Sequence, residues 1–183
     1  MIWDLPVSVE INGKNHPIRN KCDYRVVLDV ICALNDNELT EKEKIKCALF
    51  IFYEDVSKID DFEMFIKEMF RIIDNGEEAA EPNNKPRLMD WEQDFKHIAP
   101  PVSRVLGYDV RSPEKYCHWW TFLGAYNEIG ECAFSTIISI RNKRAKGKKL
   151  DNWELDFLRE HKKMIDLPKK ITSEEQEILD SEW

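Results

Sequence analysis

Trp119 to Ile140, WWTFLGAYNEIGECAFSTIISI, is the stretch that decides the fold. It runs for twenty-two mostly apolar residues and carries only two charges, Glu128 and Glu131. A membrane span needs about 20 such residues. Two carboxylates at the midpoint of a bilayer are costly, and the surrounding chain is 34% charged. The stretch therefore reads as the central helix, or helix pair, of a helical protein, buried by its neighbours. Gly124 allows a close crossing there, and Gly130 permits a kink.

Upstream, Ser112-Pro113 predicts the start of this helix, with Ser as cap and Pro in the first turn. Asp90 caps a segment with Trp91, Phe95 and Ile98 on one face, and Pro100-Pro101 predict its end near His97. A short helix is expected to resume over Val102–Leu106 and end at Gly107. Residues 77–88, polar with two prolines, read as a linker. Before it, helices are predicted from Asp23 to about Asn35, from the capping box Thr40–Glu43 to about Tyr53, and from Asp60 or Asp61 to Gly76. Val7–Ile11 alternates with period two, Asn12-Gly13 suits a type I′ turn, and Lys14–Ile18 returns, limited by Pro17. A lone hairpin is marginal in water, so it must pack on helices or pair elsewhere.

Downstream, Asp151 caps an amphipathic helix with Trp153, Phe157 and Leu158 that ends before Pro168. Thr172–Glu175 is a further capping pattern, followed by an acidic tail. The expectation is a mainly α protein, a helical bundle with an N-terminal β-hairpin. Its organisation reads as an N-terminal unit over 1–76, the linker at 77–88, a helical unit over 89–168 and the tail over 169–183.

The net charge of −8 argues against nucleic acid as the main partner, because phosphate binding relies on excess Lys and Arg. It fits a soluble cytosolic protein or one that binds basic segments. Five cysteines without a CxxC pair fit neither a disulfide framework nor a zinc ribbon, which points to a reducing compartment. The N-terminus lacks the pattern of a secretory signal. No P-loop, GxGxxG, GxSxG or HExxH is present, and no cofactor, metal or catalytic residue is expected.

Four groups compete for a functional reading. Glu128 and Glu131 share a helical face; without a Glu-x-x-His partner set, pairing with Arg104, Arg111 or Arg141 is expected. Cys117-His118 pairs a thiol with a base, but adjacent helical residues point about 100° apart, so packing is expected. Arg141, Lys143, Arg144, Lys146, Lys148 and Lys149 put six cations within nine residues, where Trp153 could stack on a base. Cations also suit a helix C-terminus, and protein contact is the expected role. Trp119, Phe122, Leu123 and Tyr126 form a helical stripe that reads as core, while Trp91, Trp120, Trp153 and Trp183 are further aromatics suited to anchoring a partner. The candidate protein-contact residues are Trp91, Trp119, Trp120, Tyr126, Trp153, Arg141, Lys143, Arg144, Lys146, Lys148 and Lys149.

One set of segments carries a family resemblance: Leu88–Phe95 (LMDWEQDF), Ile98–Pro100, Arg104–Asp109 (RVLGYD), His118–Tyr126 (HWWTFLGAY), Ile129–Cys132 and Ala145–Leu150 (AKGKKL). On these the chain resembles the bacteriophage "fifteenth gene product" family of siphophages and prophages of Gram-positive bacteria. The match is densest over about 88–167, and the N-terminal half follows it in outline, with a D-x-R pattern at Asp23 and Arg25. The resemblance implies a non-enzymatic protein of the tail module. It implies a chaperone that keeps the tape-measure protein soluble in the host bacterial cytoplasm until the tail tube polymerises. The alternatives are a structural protein retained in the phage tail and a nucleic-acid-binding regulator using the turn at 141–149. The implied partners are the tape-measure protein, other tail-module proteins and further copies of this chain. No membrane association is expected. A groove with apolar anchors would suit helical clients, and the basic turn facing an acidic tail would suit head-to-tail contacts.

Overall fold

The computed structural model describes residues 4–59, 61–77 and 86–168. It is mainly helical, with one antiparallel hairpin at its N-terminal end. Strands β1 (Ser8–Ile11) and β2 (Lys14–Pro17) pair with Val9 opposite His16 and Ile11 opposite Lys14. Asn12 and Gly13 both take positive φ, 51° and 73°, the geometry a two-residue I′ turn requires. Val9, Ile11 and His16 face inward. The His16 ring meets Phe65 edge-on at 4.6 Å, so the hairpin lies on helix α3 (Phe62–Ile73).

Helices α1 (Tyr24–Asn35) and α2 (Glu41–Phe52) follow the hairpin and pack along each other. Asp23 caps α1, and Thr40 with Glu43 forms the reciprocal box at the start of α2. Arg19 closes the other end of α2, donating to the carbonyls of Phe50, Ile51 and Tyr53. That satisfies acceptors a helix C-terminus leaves open and places a cation against its negative pole. The Thr172–Glu175 cap and the tail over 169–183 lie outside the described residues.

Helix α4 (Trp91–Leu106) runs straight through Pro100 and Pro101, contrary to the expected stop near His97. Two interior prolines remove two helical N–H donors and cost about 3 kcal/mol each in an isolated helix. Burial offsets this. Ile98, Ala99 and Val102 are wholly enclosed, and continuing the helix is what keeps them on one face. Gly107, at φ 77°, ends it by donating to the Ser103 carbonyl.

The long apolar stretch forms a helix pair. Helix α5 spans Trp119–Asn127 and α6 spans Ala133–Ala145, with Gly130 at φ 61° in the turn between them. The start expected at Ser112 is not helical. Arg25 donates to the carbonyls of Val110, Ser112 and Lys115, and Asp23 accepts the Cys117 N–H. These bonds hold 110–117 as a strap across α1. Residues 22–24 and 117–119 also exchange backbone bonds, Tyr24 N to Cys117 O and Trp119 N to Cys22 O, both 2.9 Å. The chain ends its described course in α7 (Asn152–Glu160) and α8 (Lys162–Ile165).

Residues on either side of 77–88 share one hydrophobic core. Tyr24, Val27 and Val30 from α1 meet Ile98 and Val102 from α4 and Trp119 and Phe122 from α5. Phe122 stacks on Tyr24 at 4.6 Å and on Trp119 at 5.8 Å. A second, smaller cluster of Ile140, Leu150 and Ile165 lies under α7 and α8. Among the described residues, no helix is long and apolar enough to cross a membrane.

Candidate functional site

The tandem tryptophans are helix caps. Trp119 donates its indole N–H to the Ile73 carbonyl and Trp120 to the Ile72 carbonyl, each at 2.8 Å. One dipeptide thus adds side-chain donors to two carbonyls at the C-terminus of α3; that of Ile72 also accepts the Asn75 N–H at 3.3 Å. Gly76 lies under the Trp120 ring at φ 84°, where an added Cβ would meet ring carbons at 3.2 and 3.3 Å. Trp119 is buried, and Trp91 and Tyr126 are half-buried against the same aromatic cluster. Of the predicted aromatic anchors, Trp153 stands most clear, 57% exposed.

His118 and Cys117 are not arranged for catalysis. The His118 Nδ1 accepts the Trp120 N–H at 3.0 Å, which caps α5, and its Nε2 donates to the Pro6 carbonyl at 2.9 Å. Both ring nitrogens are therefore occupied by backbone. Burial lowers the His118 pKa and raises that of the Cys117 thiol, so each stays neutral. Glu128 and Glu131 are both exposed. The arginine pairing expected for them does not form: Arg104 donates instead to the Ile129 carbonyl at 2.6 Å, Arg111 pairs with Asp109, and Arg141 is engaged with Asp94.

Arg141 is buried in a polar joint. Its guanidinium grips Asp94 with two bonds of 2.6 and 2.9 Å. Its remaining donors reach the carbonyls of Leu88, Met164 and Ile165. All five N–H groups are thereby satisfied, the condition under which a buried guanidinium is tolerated. Gln93 adds bonds to the Met164 and Asp166 carbonyls. The sequence offered no signal for Asp94 as the partner: it sits in a run of polar residues on a helix whose apolar face was already assigned.

Burial and pairing divide the basic turn. Lys143 is held by Glu154 at 2.7 Å and Asp151 at 3.2 Å, and Arg144 by Asp166 at 2.7 Å. Lys146, Lys148 and Lys149 are exposed and make no ion pair among the described residues. Trp153, in the first turn of α7, is exposed as well.

The opposite character appears in a groove of about 990 Å³ between the end of α1 and the start of α4. Ile31, Met89 and Trp91 give it apolar walls, and Asp36, Glu38, Asp90 and Glu92 line it with carboxylates against Arg87. Cys32 is in its wall, and burial followed by the charges of Glu92, Asp29 and Asp90 raises the thiol pKa. This groove was not legible in the sequence, because its two walls are some sixty residues apart. Among the described residues, no cluster of His, Cys, Asp or Glu is placed to hold a metal ion.

The family model described as "Bacteriophage Gp15 protein" matches residues 2–167. No curated protein and no solved structure matches the chain. The matched span holds the hairpin, the caps, the Arg141–Asp94 joint and all of the groove's lining but Pro168. The chain belongs to the bacteriophage Gp15 family.

Proposed function

We propose that this phage protein is a non-enzymatic tail assembly protein, a chaperone that binds the tape-measure protein before the tail tube polymerises. The observation that carries the reading is the family match across nearly the whole described chain. The geometry supports a binding role. Of the groups that resembled catalytic pairs, His118 caps α5 and Glu128 and Glu131 are exposed, whereas two surfaces of opposite charge are left open. The apolar-walled groove suits a helical client, the form in which amphipathic segments are recognised. The exposed Lys146, Lys148 and Lys149 suit contact with acidic surfaces of other tail-module proteins or of another copy.

Co-expression with the tape-measure protein of the same genome tests this, read by affinity capture and light scattering after size exclusion. The expected result is a soluble complex with several copies per tape measure. An insoluble tape measure with this protein eluting alone overturns the chaperone reading. Finding the protein in purified virions would instead make it a retained tail component.

A further inference from the structure

From the groove's charge and shape, we infer that the cleft between the end of α1 and the start of α4 is the docking site for a basic, amphipathic helical segment of another protein. The identity of that segment as tape-measure client rests on the reading above; the docking chemistry does not.

Three observations converge. Ile31, Met89 and Trp91, each half-buried, line the cleft with apolar surface, where an apolar helix face would be removed from water. A helix with side chains is about 10–12 Å wide and rises 5.4 Å per turn, so about 990 Å³ holds roughly two turns. The second observation is charge. Asp36, Glu38, Asp90 and Glu92 face the cleft against the single lining cation Arg87, which is itself paired with Asp90. Glu38 and Glu92 have no ion-pair partner among the described residues. The third is the helix end. The last turn of α1 points into the cleft and carries no basic residue, so its negative pole lacks the cation usually found there. Lysines flanking an apolar stripe supply that cation and pair with the free carboxylates.

The same field excludes other occupants. Nucleic acid is repelled. Residues 174–182 carry five carboxylates, and like charges disfavour them as the occupant. A second copy would offer Lys146–Lys149, which lacks an apolar stripe.

The native thiol of Cys32 reports occupancy, and Cys47, outside the cleft, serves as internal control. The full-length protein is alkylated with N-ethylmaleimide, with site-resolved mass spectrometry, alone and with an 18-residue helical Leu/Lys peptide. A Leu/Glu peptide of identical apolar pattern is the comparison. The Leu/Lys peptide should slow modification of Cys32 at least tenfold and leave Cys47 unchanged; the Leu/Glu peptide should do neither. Glu38→Lys with Glu92→Lys, both exposed positions, should weaken the Leu/Lys peptide at least tenfold while the melting temperature stays near wild type. Unchanged Cys32 modification at saturating Leu/Lys peptide overturns the inference, as does equal protection by the Leu/Glu peptide. Protection that rises with protein concentration alone assigns the cleft to a second copy and also overturns it. A tape-measure complex in which Cys32 still reacts at the free rate removes the groove assignment and leaves the chaperone reading standing. Protection by the basic peptide without a tape-measure complex does the reverse.

Discussion

The main body and the C-terminal end of this protein are held together by different physics. In the body, α1, α4 and α5 bury a continuous aromatic and aliphatic core around Tyr24, Trp119 and Phe122. At the C-terminal end, α7 and α8 cover only Ile140, Leu150 and Ile165. What attaches that end to α4 is polar: the Arg141–Asp94 pair, the bonds of Arg141 to the carbonyls of Met164 and Ile165, and those of Gln93 to the carbonyls of Met164 and Asp166. Apolar burial is non-directional and scales with area, so the body tolerates small shifts. A buried ion pair is directional and tolerates none, so the C-terminal end has one geometry and few reserves.

The comparison breaks most forcefully from the side of the body. Phe122→Ala leaves a void beneath Tyr24 and Trp119 and should cost about 3–5 kcal/mol of global stability, lowering the denaturant midpoint with every probe in step. Arg141→Ala strands Asp94 in a buried site and should also cost about 3–5 kcal/mol, but its first effect should be local. Hydrogen exchange should accelerate in α7 and α8 before it does in α1. Uniform acceleration would mean that the two regions are one cooperative unit. Replacing both partners, Arg141→Leu with Asp94→Leu, should recover most of the loss; if it does not, the carbonyl contacts of Arg141 matter more than its charge pairing.

Smaller effects sharpen the contrast. Trp120→Phe removes the donor to the Ile72 carbonyl together with the outer ring atoms over Gly76, which should cost at least about 1–2 kcal/mol and loosen the end of α3 in hydrogen exchange. Acidification should act last. Burial lowers the folded-state pKa values of His97 and His118, so the unfolded chain takes up protons first. Stability is then full above the ordinary histidine value of about 6.5 and falls as pH drops through it toward the folded-state values. Melting temperature should decline between pH 7.5 and 5.5. His118→Asn, which keeps a capping acceptor, should remove part of that decline. An unchanged slope would place the sensitivity at His97, whose buried Nε2 has no hydrogen-bond partner among the described residues and which lies beside the Arg141–Asp94 joint.

Much of the local structure was legible in the chain because it depends on neighbours in sequence. Asp23, Thr40, Asp61, Asp90 and Asp151 all stand at helix starts, and Asn12-Gly13 turns the hairpin. A side-chain oxygen beside free N–H groups, or a positive φ at Asn-Gly, needs no tertiary partner. The errors came where tertiary bonds overruled local preference. Pro100 and Pro101 stay within α4 because Ile98, Ala99 and Val102 gain more by burial than the missing donors cost. Ser112-Pro113 starts no helix because Arg25 takes the carbonyls of 110–115.

The sites divide in the same way. The basic turn was visible as a run of residues, and its exposed part, Lys146 to Lys149, is at the surface. Lys143 and Arg144, in the last turn of α6, pair inside the C-terminal end, and Arg141 is buried. The sequence by itself determined most helix starts, the hairpin and the family, since these rest on spacing and local motifs. Only the tertiary structure decided that Trp119 and Trp120 cap a helix some forty-five residues upstream, that Asp94 receives Arg141, and that an acidic cleft opens between α1 and α4. Each depends on which surfaces meet across the core, and chain separation carries no record of that.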